Sequence, residues 1–558
     1  MAVAATAESD QICVESASKM KWLLFLAVTS VLLEVLAYTR PEGFEAIAAV
    51  WWVTVGAGVV GLSLVEIGKA LITDARQKFV LGFVVLAGWV IMVSFGSSQW
   101  VMMGGESAQQ VADALAAFKK PGWEYTGTAF LGYPMRQYYL AAVPTLAGGR
   151  SVTALTWGYI VPLLLGLGVG YAGIRQLMPE RKGGYLAAAV LACIASSIYV
   201  LKYSRMYEQA IFPLAFTLLA GGWWLIFGKK PTWKGAIALI WSGGLLGTSY
   251  TPALAGWGLM LATVGGWSAL QGRKKNWRYL AMGVAIFTGA AVNGGLAMRT
   301  RSDIFKPDRM EWTGGTDSGR VLVDGFYRFA QTGYGSFWGP VMVVPAVAFL
   351  GLAGTGFLGG GMWVLAVWAI AAVGLALYLP GYADPPADFS LHRAIFVIPV
   401  VLGAVAWQIY RRSFGKDEKW VALVATAVVL AAAVVTGKNF GAVIAERQPG
   451  PRTYLLQDMR ETAQALRWPE DQPITYGVFS SETDFLPMKD YLRYFYPWVA
   501  TWINTVECPR GTGLVIIYSQ TGKCLDRSAG DAKVAGATVF AYPGGEMTRV
   551  AGYKPIAR

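Results

Sequence analysis

A chain of 558 residues that is 55% hydrophobic and only 15% charged, with a mean hydropathy of +0.44, is too apolar for a soluble multidomain protein and must take lipid as part of its solvent. Its net charge of +13 does not point to nucleic acid, because the basic residues fall in short clusters between apolar runs, as inner loops of a membrane protein should. The 23 Trp and 26 Tyr suit a chain that crosses many interfaces, where amphipathic rings settle at headgroup depth.

In chain order, residues 1–20 are polar and lead into an apolar run with no small-residue cleavage site, so the first span is expected to remain as an anchor. Apolar stretches long enough to span, or nearly so, follow at about 21–38, 44–72, 79–98, 151–176, 183–201, 207–228, 234–250, 252–270, 278–298, 338–358, 361–380, 390–410 and 419–437, about thirteen by the ~20-residue criterion. With the N terminus inside, Arg76 and Lys78, Arg181 and Lys182, Lys229 and Lys230, Arg273 to Lys275, and Arg411 with Arg412 all fall on the cytoplasmic side. Loops 99–150, 299–337 and 381–389 and everything after about residue 438 then lie outside. The expected architecture is an all-α polytopic membrane domain over 21–437, with a small external α/β domain over 438–558. That tail mixes helix-like text (RTYLLQDMRETAQALRW) with short β-rich runs (ITYGVF, GLVIIYS, ATVFAY).

Four cysteines and one histidine, widely scattered, offer no zinc-site spacing. Cys508 and Cys524 share the external tail and form either a disulfide, as an oxidising compartment favours, or two free thiols. Cys13 and Cys193 are isolated. In loop 299–337, Asp303, Asp308, Asp317 and Asp324 lack EF-hand spacing. Trp312, Tyr327, Tyr334 and Trp338 there offer aromatic faces either for a sugar or for interfacial anchoring.

The acidic residues at the outer ends of apolar segments carry the functional expectation, since carboxylates near hydrocarbon are costly and mark function by default. Glu106 opens GGESAQQVADALAAF, in which Val111, Leu115 and Phe118 recur at helical spacing, so an amphipathic helix on the membrane surface is expected. Ordinary stabilisation of an acid by the helix dipole is the competing account of Glu106. Glu208 lies in YSRMYEQAIFPLAFTLLA, and a salt bridge to Arg205 or Lys202 is its competing role.

These motifs, taken together, resemble the polyprenyl-phosphate-sugar-dependent glycosyltransferases of the GT-C fold, a family that includes protein O-mannosyltransferases and aminoarabinose transferases. In that family an external loop begins with an acidic motif, runs through an Ala-rich helix to a Pro-aromatic box, and enters the next membrane helix after a turn of Gly and small residues. Here the matching residues are Glu106, QQVADAL, Tyr133-Pro134 with Tyr138-Tyr139-Leu140, and AGGRSVTALTWGYIVPLLLGLGVG. A second match, Ser204 and Arg205 followed by Glu208, comes two spans later, and a weaker echo lies at HRAIFVIPVV. The similarity covers roughly residues 80 to 260. A lone Glu106 stands where relatives carry Asp, Glu208 likewise replaces Asp, Tyr133 stands where aminoarabinose transferases have Lys, and two extra spans precede the family-like first helix.

The resemblance implies single-displacement sugar transfer from a polyprenyl-phosphate donor to an external glycan, lipid or protein acceptor. Glu106 is then the candidate base for the acceptor hydroxyl and Glu208 the acid that positions the acceptor. Arg136, Arg205, His392 and Arg393, with Arg299 and Arg301 behind them, are candidate cations over the departing lipid phosphate. For each arginine, snorkelling to headgroups competes with that role, and for His392 a hydrogen-bonded interface position does. Tyr133, Tyr138, Trp312 and Tyr334 are candidate substrate contacts. No cofactor is expected, and the sparse acidic residues argue against a divalent metal. A catalytically silent structural subunit and a lipid or sugar transporter are the alternatives.

Overall fold

The computed structural model describes residues 25, 28, 29, 32, 41–76, 106–117, 136–176, 180–197, 200, 211–229, 232–247, 249, 417–445, 474–478, 494, 501–503, 514–518, 538–541 and 548–549. The helices among them are α1 (Pro41–Arg76), α2 (Glu106–Ala117), α3 (Arg136–Gly148), α4 (Val152–Arg175), α5 (Glu180–Ala195), α6 (Ile211–Lys229), α7 (Trp233–Gly247) and α8 (Glu418–Ala445). The strands are β1 (Ile474–Val478), β2 (Thr501–Ile503), β3 (Leu514–Tyr518), β4 (Thr538–Ala541) and β5 (Thr548–Arg549).

Three of these helices, over Val53–Asp74, Thr153–Arg175 and Glu418–Lys438, are long and apolar enough to cross a membrane. They match the stretches expected at 44–72, 151–176 and 419–437, while α5, α6 and α7 fall on those at 183–201, 207–228 and 234–250. The stretches at 79–98, 252–270, 278–298, 338–358, 361–380 and 390–410 lie outside the described residues. Large apolar side chains point outward from α1 (Leu64, Val65, Ile72) and α8 (Leu423, Leu430, Val434). Water would penalise such faces, whereas lipid accepts them. The chain is an integral membrane protein.

Helix α4 is the hub of the bundle, packing on α1, α3, α5 and α6. Lipid tails supply no hydrophobic drive between helices, so close van der Waals packing must hold them together, and small residues make that possible. A Cβ added at Gly166 would stand 2.3 Å from the carbonyl oxygen of Ala215, and one at Gly173 would stand 2.6 Å from that of Gly222. The α4 and α6 backbones therefore touch along this seam. Helix α1 joins the bundle through Ser63, whose Oγ donates to the Val59 carbonyl at 2.7 Å and accepts from Trp223 Nε1 of α6 at 3.1 Å. Helix α8 packs on α5, with an exposed Arg181 to Glu418 pair at 3.5 Å between them.

The turn between α3 and α4 is built by its sequence. Gly149 takes φ +76°, the left-handed region that only glycine enters without penalty, just past the end of α3. Ser151 then caps α4, its Oγ accepting from the Ala154 N–H at 3.1 Å.

The five strands form one sheet in the order β2-β1-β3-β4-β5. β1 pairs in parallel with β2 and β3, β3 in parallel with β4, and β5 closes the edge antiparallel to β4. The runs ITYGVF, GLVIIYS and ATVFAY coincide with β1, β3 and β4. Parallel pairs need crossover connections, which lie, with the helix-like text before β1, outside the described residues.

Candidate functional site

The two ends of α4 carry different chemistry. At its C-terminal end, buried Asp74 of α1 accepts from Arg175 Nε at 2.6 Å and from the Tyr171 hydroxyl. Lys229, at the end of α6, donates to the Gln176 carbonyl at 3.0 Å. Arg181 and Glu418 belong to the same end. The other end, about 36 Å away for a 24-residue helix, holds Tyr494 from the C-terminal segment. Its hydroxyl lies 2.7 Å from Thr145 Oγ1 and donates to the Ser151 carbonyl at 3.3 Å, and Arg150 Nη1 donates to its backbone carbonyl at 2.5 Å. Burial pushes the Tyr494 phenol up to about 12, against smaller opposing effects of Thr145, Arg150 and Ser151. Burial also draws the Arg150 guanidinium below its usual range, with Tyr494 acting the other way. The C-terminal segment thus contacts the end of the bundle opposite Arg181 and Lys229.

An aromatic knot ties α3, α4 and α6 together. Phe212 meets Tyr138 edge-on at 5.7 Å between centroids, Tyr159 at 5.0 Å and Phe216 at 5.9 Å. Tyr138 is the third residue of α3 and Phe212 the second of α6, so the knot brings the starts of these helices together. Arg136 is the first residue of α3, and Glu208 lies three residues before α6.

Helix α2 begins at Glu106 and packs on α3. The expected surface helix with one wet face is not what forms here: Gln110 to Leu115 are all buried, the polar Gln110 and Asp113 included. Helical spacing finds the buried Val111 and Leu115, with Phe118 outside the described residues, but is blind to what covers the polar side. Gln110, and Gln137 in the first turn of α3, are each at most 1% exposed. Among the described residues, neither end of either amide has a hydrogen-bond partner. Each orphaned polar group left buried costs about 1–3 kcal/mol.

Of the residues expected to act, Tyr138 is wholly buried in the aromatic knot. Glu106 and Arg136 are the first residues of α2 and α3, with side chains outside the described set. Glu208, Arg205, Tyr133, Trp312, Tyr334, His392, Arg393, Cys508 and Cys524 lie outside the described residues. Gln110, Gln137, Arg150 and Tyr494 escaped the sequence-based selection. Two glutamines in a polar stretch between apolar runs carry no sign of burial, and Tyr494 is separated from Arg150 by 344 positions.

No protein-family model matches the chain, and no curated protein does. Solved structures do. ArnT from Cupriavidus metallidurans bound to undecaprenyl phosphate superposes with a TM-score of 0.53 at 13% identity, covering 84% of this chain and 93% of that one. The same protein in its apo state gives 0.51 at 14% identity, over 84% and 94%. At such identity the likeness is one of fold, and the chain has the GT-C architecture that its motifs resemble.

Proposed function

We propose that this protein is a membrane glycosyltransferase that moves a sugar from a polyprenyl-phosphate carrier to an acceptor outside the cytoplasmic membrane. The observation that carries the proposal is the fold shared with ArnT over 84% of the chain, one ArnT structure being bound to undecaprenyl phosphate. The meeting of the α3 and α6 starts supports it, since these two segments bear the Arg136 and Glu208 motifs.

In this mechanism the acceptor oxygen attacks the anomeric carbon while the carbon–oxygen bond to the lipid phosphate breaks, inverting the centre. The acceptor proton passes to Glu106, the first residue of α2, since a carboxylate is a competent base for that step. Glu208 orients the acceptor, which a single displacement needs more than it needs a second nucleophile. Charge gathers on the departing phosphate, and Arg136, Arg205, His392 and Arg393 neutralise it as charge-assisted donors. Tyr133, Trp312 and Tyr334 offer rings to the sugar, and Tyr138, wholly buried in the knot, supports that wall by packing. Proton and charge are then both handled by side chains, so chelators should leave the rate unchanged. The loops bearing Arg181 and Lys229 face the cytoplasm by their charge. The Tyr494 segment, at the opposite end of the bundle, faces the external side, where Cys508 and Cys524 form a disulfide.

Glycan mass spectrometry of host cells carrying wild-type protein, a deletion, or Glu106→Gln at matched expression tests the proposal. Loss of one defined sugar in both the deletion and the substitution is expected. Loss in the deletion alone would remove Glu106 from the chemistry, and no change in either would overturn the glycosyltransferase assignment.

A further inference from the structure

We propose that Gln110 and Gln137 together form a hydrogen-bonding subsite for the hydroxyl groups of a sugar, a role that rests on the glycosyltransferase assignment above. Both amides are buried to within 1% of complete, and all four of their polar atoms lack partners among the described residues. They sit on the packed pair α2 and α3, Gln110 one turn after Glu106 and Gln137 directly after Arg136. Native proteins rarely leave buried amides unpaired, and those that persist call for a ligand or a water.

The donor and acceptor pattern selects the ligand class. Each amide offers two N–H donors and a carbonyl acceptor. A phosphate supplies acceptors only and would leave both carbonyls unmet and repelled. A lipid chain supplies neither donor nor acceptor. Hydroxyls give and take hydrogen bonds at once, so a pair of neighbouring sugar hydroxyls satisfies both halves of both amides. A site built to bond hydroxyls also rejects analogues lacking them, because its own groups are then left unpaired. The sugar arrives either on the lipid-linked donor or as part of a glycan acceptor, and both sources present the same hydroxyl chemistry.

The near-isosteric substitutions Gln110→Met and Gln137→Met, made in the full chain, separate a ligand contact from a structural one. Cells carrying each variant are compared with wild-type and deletion cells by glycan mass spectrometry. Purified protein is then assayed with lipid-linked sugars extracted from the host as donor and deletion-cell membranes as acceptor. The expected result is an unfolding midpoint equal to or above that of wild type, with transfer at limiting substrate reduced at least tenfold and KM raised. A rise in the KM for the lipid extract assigns the pair to the donor sugar, and a rise for the membranes assigns it to the acceptor. Variants with both KM values within twofold of wild type would overturn the subsite and leave the transferase standing, as would variants whose midpoint falls and whose protein is lost. Identical glycans in wild-type and deletion cells would instead overturn the transferase assignment, and this subsite with it.

Discussion

The two ends of α4 are fastened by opposite means. At the Arg175 end a carboxylate, a guanidinium and a phenol meet among buried helix ends, and both ionic partners are largely hidden. At the Ser151 end a tyrosine from far along the chain is held by neutral hydrogen bonds and one arginine to a backbone carbonyl. A buried ion pair is strongly destabilising to break but adds little over an apolar replacement of both partners. Neutral clasps of this kind are individually worth only about 1 kcal/mol. The first arrangement therefore fixes which helix ends meet, whereas the second joins a separate segment to the bundle through bonds weak enough to open locally.

The largest effect belongs to the ionic end. Asp74→Ala strands Arg175, one of whose terminal nitrogens already lacks a hydrogen-bond partner among the described residues, and should destabilise the protein by about 3–5 kcal/mol. Thermal unfolding in detergent would show this as a large fall in midpoint. The double change Asp74→Leu with Arg175→Met should recover most of it, because no charge is then left alone. If the double variant is as unstable as the single, the cluster contributes through contacts other than charge.

Between the ends, the seam of α4 on α6 has no room for a side chain. Gly166→Leu drives carbon into the Ala215 carbonyl, 2.3 Å from where its Cβ would stand, and should cost about 1–3 kcal/mol or more by overpacking. Gly221, whose Cβ would meet nothing within 4 Å, is the control: Gly221→Ala should be neutral or slightly stabilising, since glycine inside a helix is worth about 1 kcal/mol less than alanine. The same unfolding assay reads both, and equal losses would mean that the seam does not set the packing.

The sequence discloses these features unevenly. Long apolar runs announce α1, α4 and α8 because lipid demands about twenty apolar residues in a row, and the β-branched runs of β1 and β3 are as plain. β2 is only Thr501–Ile503, too short to show alternation. Asp74 reads as one more residue of an inner loop beside Arg76, and only the packing of α1 on α4 reveals it as the buried partner of Arg175. The helix that begins at Arg136 falls in a stretch that reads as an aromatic, Pro-punctuated loop, whereas Glu106 is legible as a helix head. Gln110 and Gln137 are not legible as buried, since burial of a polar residue is decided by what covers it, which no local pattern records.

At the neutral end the effects are smaller. Tyr494→Phe keeps the ring and the Arg150 contact to the backbone carbonyl, and removes only the hydroxyl shared with Thr145 and Ser151. With Thr145 buried, the loss should be about 1–2 kcal/mol. It should appear as faster protease cleavage of the C-terminal segment with little change in the midpoint of the bundle. A fall in that midpoint as large as the one for Asp74→Ala would abolish the distinction between the two ends.

The smallest effect is a pH dependence confined to this clasp. Burial raises the folded-state pKa of Tyr494 from 10.0 to about 12, so the folded clasp binds the phenolic proton more tightly than the free segment does. Linkage then makes its contribution fully present below about pH 10 and lost progressively as the pH rises toward 12. Neutral and mildly basic buffers should leave the clasp alone, and protease sensitivity of the C-terminal segment should climb above pH 10 in wild type. Tyr494→Phe, which has no proton to lose, should be more sensitive at pH 8 and lack the tyrosine-dependent part of the rise. A variant that climbs as steeply as wild type would move the alkaline transition to another group and leave the clasp indifferent to pH.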